Sequence, residues 1–95
     1  MNKETIEKIS QIAKLTCELT NDDLEESDIP VAMCRIYGHC ALLEIDLFEH
    51  GWYFKAKPTH QVAYYYDAEP VFDEIISEMN RLCEIKAKML NKEEF

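Results

Sequence analysis

Cys34, His39, Cys40 and His50 are the residues of this chain whose types could hold a metal ion or activate a thiol. Zinc sites take cysteine and histidine, usually in short-spaced pairs such as two cysteines separated by two to four residues. Five residues separate Cys34 from Cys40, and no second pair follows. His39 beside Cys40 suggests a thiol next to its base, the arrangement a cysteine nucleophile requires. Neighbours along a strand point to opposite faces, however, which separates the two side chains. Glu44 and Asp46 are paired carboxylates of the kind used in acid–base work, but with Lys57 and Lys55 expected opposite them they read as a solvated ion-pair ladder. With two glycines in the chain, and no Walker-type or nucleophile-elbow stretch, a phosphate cradle is out of reach. The expectation is no enzyme, no cofactor and no bound metal. A small zinc-binding or cysteine-based domain around Cys34, His39, Cys40 and His50 is the alternative.

The charge is the strongest compositional signal. Nineteen acids against ten bases give a net charge of −9, and residues 1–50 alone hold eleven acids and four bases. Such a chain repels nucleic acid, whose phosphates need lysine and arginine, and an anionic membrane is no better a partner. No apolar run is long enough to span a bilayer. The N-terminal stretch MNKETIEKIS lacks the apolar segment of a secretory signal. A cytoplasmic location is the expectation, with the four cysteines reduced. The acids concentrate in residues 18–28, where Glu18, Asp22, Asp23, Glu25, Glu26 and Asp28 occur without a base. This segment reads either as a solvated loop following the helix or as an electrostatic surface for a basic partner, with Leu24 and Ile29 as apolar anchors.

The elements that must position these residues follow from periodicity. Residues 3–20 read as an amphipathic helix with a stripe of Ile6, Ile9, Ile12, Ala13, Thr16, Cys17 and Leu19. From Val31 the period becomes two: Ala32, Cys34 and Ile36 alternate with Met33, Arg35 and Tyr37, then Leu43, Ile45 and Leu47 with Glu44 and Asp46. Gly38-His39 reads as a two-residue hairpin turn that sets Cys34 against Leu43 and Ala32 against Ile45. His50-Gly51 reads as a second such turn, placing Leu47 against Phe54, Asp46 against Lys55, Glu44 against Lys57 and Phe48 against Tyr53. QVAYYYD then forms a fourth strand, or the third if residues 52–60 are mostly loop. Pro70 opens a last helix with the stripe Val71, Phe72, Ile75, Ile76, Met79, Leu82, Cys83, Lys86 and Leu90. The fold class is α+β in one domain: a helix, an antiparallel meander of three or four strands, and a helix, with both helices on one sheet face. The other face is expected to gather Trp52, Tyr53, Phe48 and Tyr65, aromatics of the kind that dominate interfaces.

The stretches LLEIDLFEHGWYF and EPVFDEIISEMNRL, within residues 36–82, resemble small acidic accessory proteins encoded by bacteriophages and mobile elements. The resemblance implies no active site. It implies a role as an inhibitor that binds another protein, as anti-CRISPR proteins do by mimicking nucleic acid or by blocking. The functional expectation is a protein-interaction module for a basic, nucleic-acid-binding surface, through Asp22, Asp23, Glu25, Glu26, Asp28, Trp52, Tyr53 and Tyr65. A homodimer through the aromatic face or the edge of the last strand is the rival expectation.

Overall fold

Five elements make up the described residues, which are 3–20, 28–38, 41–53, 55–65 and 69–93 of a computed structural model. They are α1 (Lys3–Glu18), β1 (Val31–Tyr37), β2 (Leu42–Phe48), β3 (His60–Tyr65) and α2 (Glu69–Glu93). The strands form one antiparallel sheet in the order β1-β2-β3, so residues 60–65 are the third strand. The fold is α+β.

Alternation decides which sheet face is buried. Leu43, Ile45 and Leu47 of β2 are fully buried, and Ala32, Cys34 and Val62 of the flanking strands pack against the same cluster. Ile9, Ile12, Leu15 and Leu19 of the first helix segment and Phe72, Ile75, Ile76, Met79 and Leu82 of α2 complete it. Both helices therefore lie on one side of the sheet. Ile36 shares that side but sits 51% exposed at the end of β1.

The first helix is rotated from its expected stripe. Thr5, Ile9, Ile12 and Leu15 are the buried positions, followed by Leu19. Ile6 and Cys17, expected inside, are exposed. The reason is geometric: Ile6 lies about 100° round the helix from Thr5, off the side that Ile9 and Ile12 define.

The two hairpins also differ from expectation. Tyr37 pairs with Leu42, and the register is Cys34 with Ile45 and Ala32 with Leu47. A two-residue turn at Gly38-His39 would have needed a left-handed Gly38. Ala41 takes the left-handed conformation instead, at φ 52°. The slip is two residues, so every side chain keeps its face while changing its partner. His39 and Cys40 lie outside the described residues.

The second correction is larger. Leu47 pairs with His60, Asp46 with Gln61 and Glu44 with Ala63, so the described residues between Phe48 and His60 belong to a loop, not a strand; Phe54, expected opposite Leu47, lies outside the described residues. Lys55 and Lys57 fall in that loop and do not oppose Asp46 and Glu44; nor does Tyr53 oppose Phe48. Thr59 clasps the neck of the loop. Its amide and hydroxyl both donate to the Leu47 carbonyl, at 2.8 and 3.0 Å, while its oxygen accepts from the Glu49 amide at 3.1 Å. Gly51, at φ 85°, closes the first turn by donating to the Phe48 carbonyl.

The helices run in the same direction. Lys8 Nζ lies 3.2 Å from Asp73 near both N-termini, and Lys86 Nζ donates to the carbonyls of Glu18 (2.7 Å) and Thr20 (3.0 Å) near the end of α1. Lys86, on the stripe of the last helix, thus places its ammonium at the end of α1, while α2 itself runs on to Glu93.

These placements have measurable consequences. Leu15→Ala should cost about 2–5 kcal/mol, and Ile6→Ala should stay within about 0.5 kcal/mol. Lys86→Met, which keeps the apolar stem, should cost roughly 0.5–1 kcal/mol. For a domain of this size each kcal/mol lowers the melting temperature by about 4–8 °C. Thermal melts that reverse the order of the first two variants would show that α1 buries its other face.

Candidate functional site

The sheet side turned away from the helices is organised in rows by the register. Tyr37, Leu42 and Tyr65 form one row, Arg35, Glu44 and Ala63 the next, then Met33, Asp46 and Gln61, and finally Val31 beside Phe48. The last row is buried. The first ends in Tyr65, which is 62% exposed. A shallow groove of about 340 Å³ lies between β2 and β3 on this face, lined by Glu44, Asp46, Gln61, Val62 and Ala63.

Electrostatics centre on Arg35. Its Nε donates to Glu44 Oε2 and its Nη2 to Asp46 Oδ2, both at 3.1 Å. The hydrogen bond it donates to Glu44 and then the charge of Asp46 push the guanidinium further to its protonated side. The ion-pair ladder expected for Glu44 and Asp46 thus exists, with Arg35 of β1 in place of Lys55 and Lys57. Asp46 is only 7% exposed, and among the described residues its Oδ1 is buried without a hydrogen-bond partner. Two carboxylates share one arginine, which leaves a net negative charge at the groove.

The sequence-predicted residues separate. Asp22, Asp23, Glu25 and Glu26 lie outside the described residues; Asp28 is exposed just before the fully buried Pro30. Trp52 and Tyr53 are exposed in the 49–59 loop, which leaves β2 beyond Phe48. Tyr65 stands opposite Leu42, six residues and roughly 20 Å away along β2. Phe48 is buried, so the single aromatic cluster expected on this face is divided between the two ends of the sheet. Arg35, Gln61 and Ala63 were not anticipated as a unit. A two-residue error in the first register had set Arg35 against Leu42 and hidden its pairing with Glu44.

Of the candidate metal and thiol residues, the two that are described lie apart. Cys34 is half-buried on the helix-facing side of β1, while His50 is exposed beyond β2 with Nε2 3.9 Å from Glu49. Among the described residues no three of His, Cys, Asp and Glu come together as metal ligands. Burial raises the Cys34 thiol, outweighing the Thr16 hydroxyl and the Arg35 charge that lower it. Burial and the Glu18 carboxylate, whose Oε2 lies 3.7 Å from the sulfur, raise that of Cys83. Thiols held protonated are poor nucleophiles.

Elsewhere Arg81 of α2 joins Glu78 on its own helix to Glu49 at the start of the loop, the latter at 2.6 Å. Hydrogen bonding to Arg81 lowers the Glu78 carboxyl. No helix of the described residues is long and apolar enough to cross a membrane. No family model matches the chain, and no curated protein or solved structure is detectably similar to it.

Two outcomes test this geometry. Arg35→Met should lower the melting temperature, and adding Asp46→Asn should recover part of the loss, because the second change removes the carboxylate that the first leaves uncompensated. Strictly additive losses would show that the two side chains are not coupled. Peptide mapping after brief alkylation at neutral pH should find Cys17 modified before Cys34 and Cys83. Because the folded chain holds the Cys34 and Cys83 protons more tightly than the unfolded one, their contribution to stability is intact below the ordinary thiol range. It is lost as pH rises through and above that range, and melts on the alkaline side should show the decline.

Proposed function

We propose that this chain is a non-catalytic protein-binding module whose partner presents a basic surface. The observation that carries the reading is the side of the sheet opposite the helices. It bears Glu44, Asp46, Gln61 and Tyr65 and is covered by no helix among the described residues. A sheet face that is covered only beside Val31 and Phe48 gives up burial that a third layer would have supplied. Carboxylates flanked by an exposed tyrosine combine long-range attraction with an anchor of large contact area. The net charge of −9 acts in the same direction over the whole surface.

The specific form of the reading is an inhibitor. A partner surface built from lysine and arginine to hold phosphates is also a surface that a fixed array of carboxylates fits. The resemblance of residues 36–82 to phage-borne accessory proteins supports that form. Asp22, Asp23, Glu25, Glu26 and Asp28 remain part of the proposed surface, together with Trp52, Tyr53 and Tyr65.

A second reading rests on β3. It is an edge strand whose sequence, HQVAYY, contains none of the lysine, proline or acidic residues that blunt edges against pairing. Pairing of β3 with its copy would give a six-stranded sheet in a two-fold dimer.

Capture on the immobilised chain separates these readings. A protein retained at low salt should be released at high salt. It should also be lost when the five acids of residues 22–28 are neutralised, or when Glu44→Gln is combined with Tyr65→Ala, with melting temperatures unchanged. Undiminished retention by both variants overturns the module reading. Light scattering over a concentration series tests the dimer: a constant mass of one chain excludes it.

A further inference from the structure

We infer that the groove between β2 and β3 receives an arginine side chain from the basic partner, with Asp46 as its main acceptor. The inference rests on the reading of this chain as a module for a basic protein and names the contact at its centre.

Asp46 supplies the first reason. A carboxylate that is 7% exposed should have its oxygens satisfied, yet Oδ1 is without a hydrogen-bond partner among the described residues while Oδ2 takes Arg35. Asp46 also lines the groove. Its terminal torsion is a broad sp³–sp² one, so a small rotation presents the unpartnered oxygen to an incoming donor.

Charge is the second reason. Arg35 is shared between Glu44 and Asp46, so the pair keeps an excess negative charge that a neutral donor would leave uncompensated. A metal ion is disfavoured, because no third ligand accompanies the two carboxylates among the described residues.

Shape distinguishes the cation. Gln61 stands directly opposite Asp46 in the register and also lines the groove, so an amide and a carboxylate face each other across two strands. Side chains so paired are about 5 Å apart at Cβ, a spacing over which the planar fork of a guanidinium offers a separate nitrogen to each, where the ammonium of lysine offers one. Ala63 opens the space. In the row of Arg35 and Glu44 it is the small residue, and the groove extends over it. At about 340 Å³ the groove is near the lower end of ligand pockets, room for the head of one side chain.

The test is a titration of a capped Arg-Gly-Arg-Gly-Arg peptide at low salt into the isotope-labelled full chain, followed by amide NMR. Lysine and norleucine peptides of the same length serve as comparisons. Arginine should shift the amides of Glu44, Asp46, Gln61, Val62 and Ala63 most, lysine less, and norleucine not at all. Asp46→Asn should weaken the response roughly tenfold or more. Ala63→Leu, which fills the groove and leaves every charge in place, should abolish it, so a folding defect in one variant does not decide the matter. Equal responses to arginine and lysine overturn the guanidinium assignment. Shifts confined to residues 18–28 overturn the groove and leave the module reading standing. No shift at any amide overturns both.

Discussion

The last carbonyl groups of an α-helix have no partner within it, and at the end of α1 several are taken by donors of other elements. The Leu19 amide is shared between the carbonyls of Leu15 and Thr16. The Thr20 hydroxyl also donates to Thr16, while the Ala32 amide of β1 takes Leu19 and Lys86 of α2 takes Glu18 and Thr20. The end of one helix is thus where the first strand and the last helix are held to it. Because the helices run in the same direction, their like ends lie on the same side, an arrangement that macrodipoles oppose. Lys86 offsets this at the end of α1, and Lys8, between Glu4 and Asp73, links the other ends.

With both helices committed to one side, the sheet's other side depends on strand geometry alone. Thr59 returns the chain to β2 after an eleven-residue loop and starts β3 in register. That register sets Gln61 against Asp46 and Ala63 against Glu44. The groove therefore follows from a loop neck that has no part in the groove itself. Arg81 ties Glu49 at the same neck to α2, so the loop is attached to both layers.

Periodicity made the fold class and the buried faces legible, because the inside–outside alternation of β1 and β2 survives any even slip in pairing. It did not make the partners legible. Register depends on loop length, and Gly38 resembled the first residue of a tight turn while Ala41 took the left-handed position. The His50-Gly51 turn misled for a related reason. Gly51 does close a turn, but one inside a loop and not between strands. The acids of the groove were visible in sequence; Arg35 became their partner only in the true register. On α1 an apolar residue at each helical spacing was not enough, since Ile6 satisfied the spacing with Ile9 and still faces solvent.

Lys86 also marks where α1 stops alongside α2. Residues 87–93 continue α2 past that point for roughly 10 Å, about two turns, with Leu90 39% exposed on them. Those turns rest on backbone propagation, whereas the segment from Phe72 to Leu82 is locked into the core. Protection of backbone amides is therefore graded along a single helix. The terminal turns should fray by local opening that leaves the core closed, whereas the amides from Ile75 to Leu82 should open only with the whole domain.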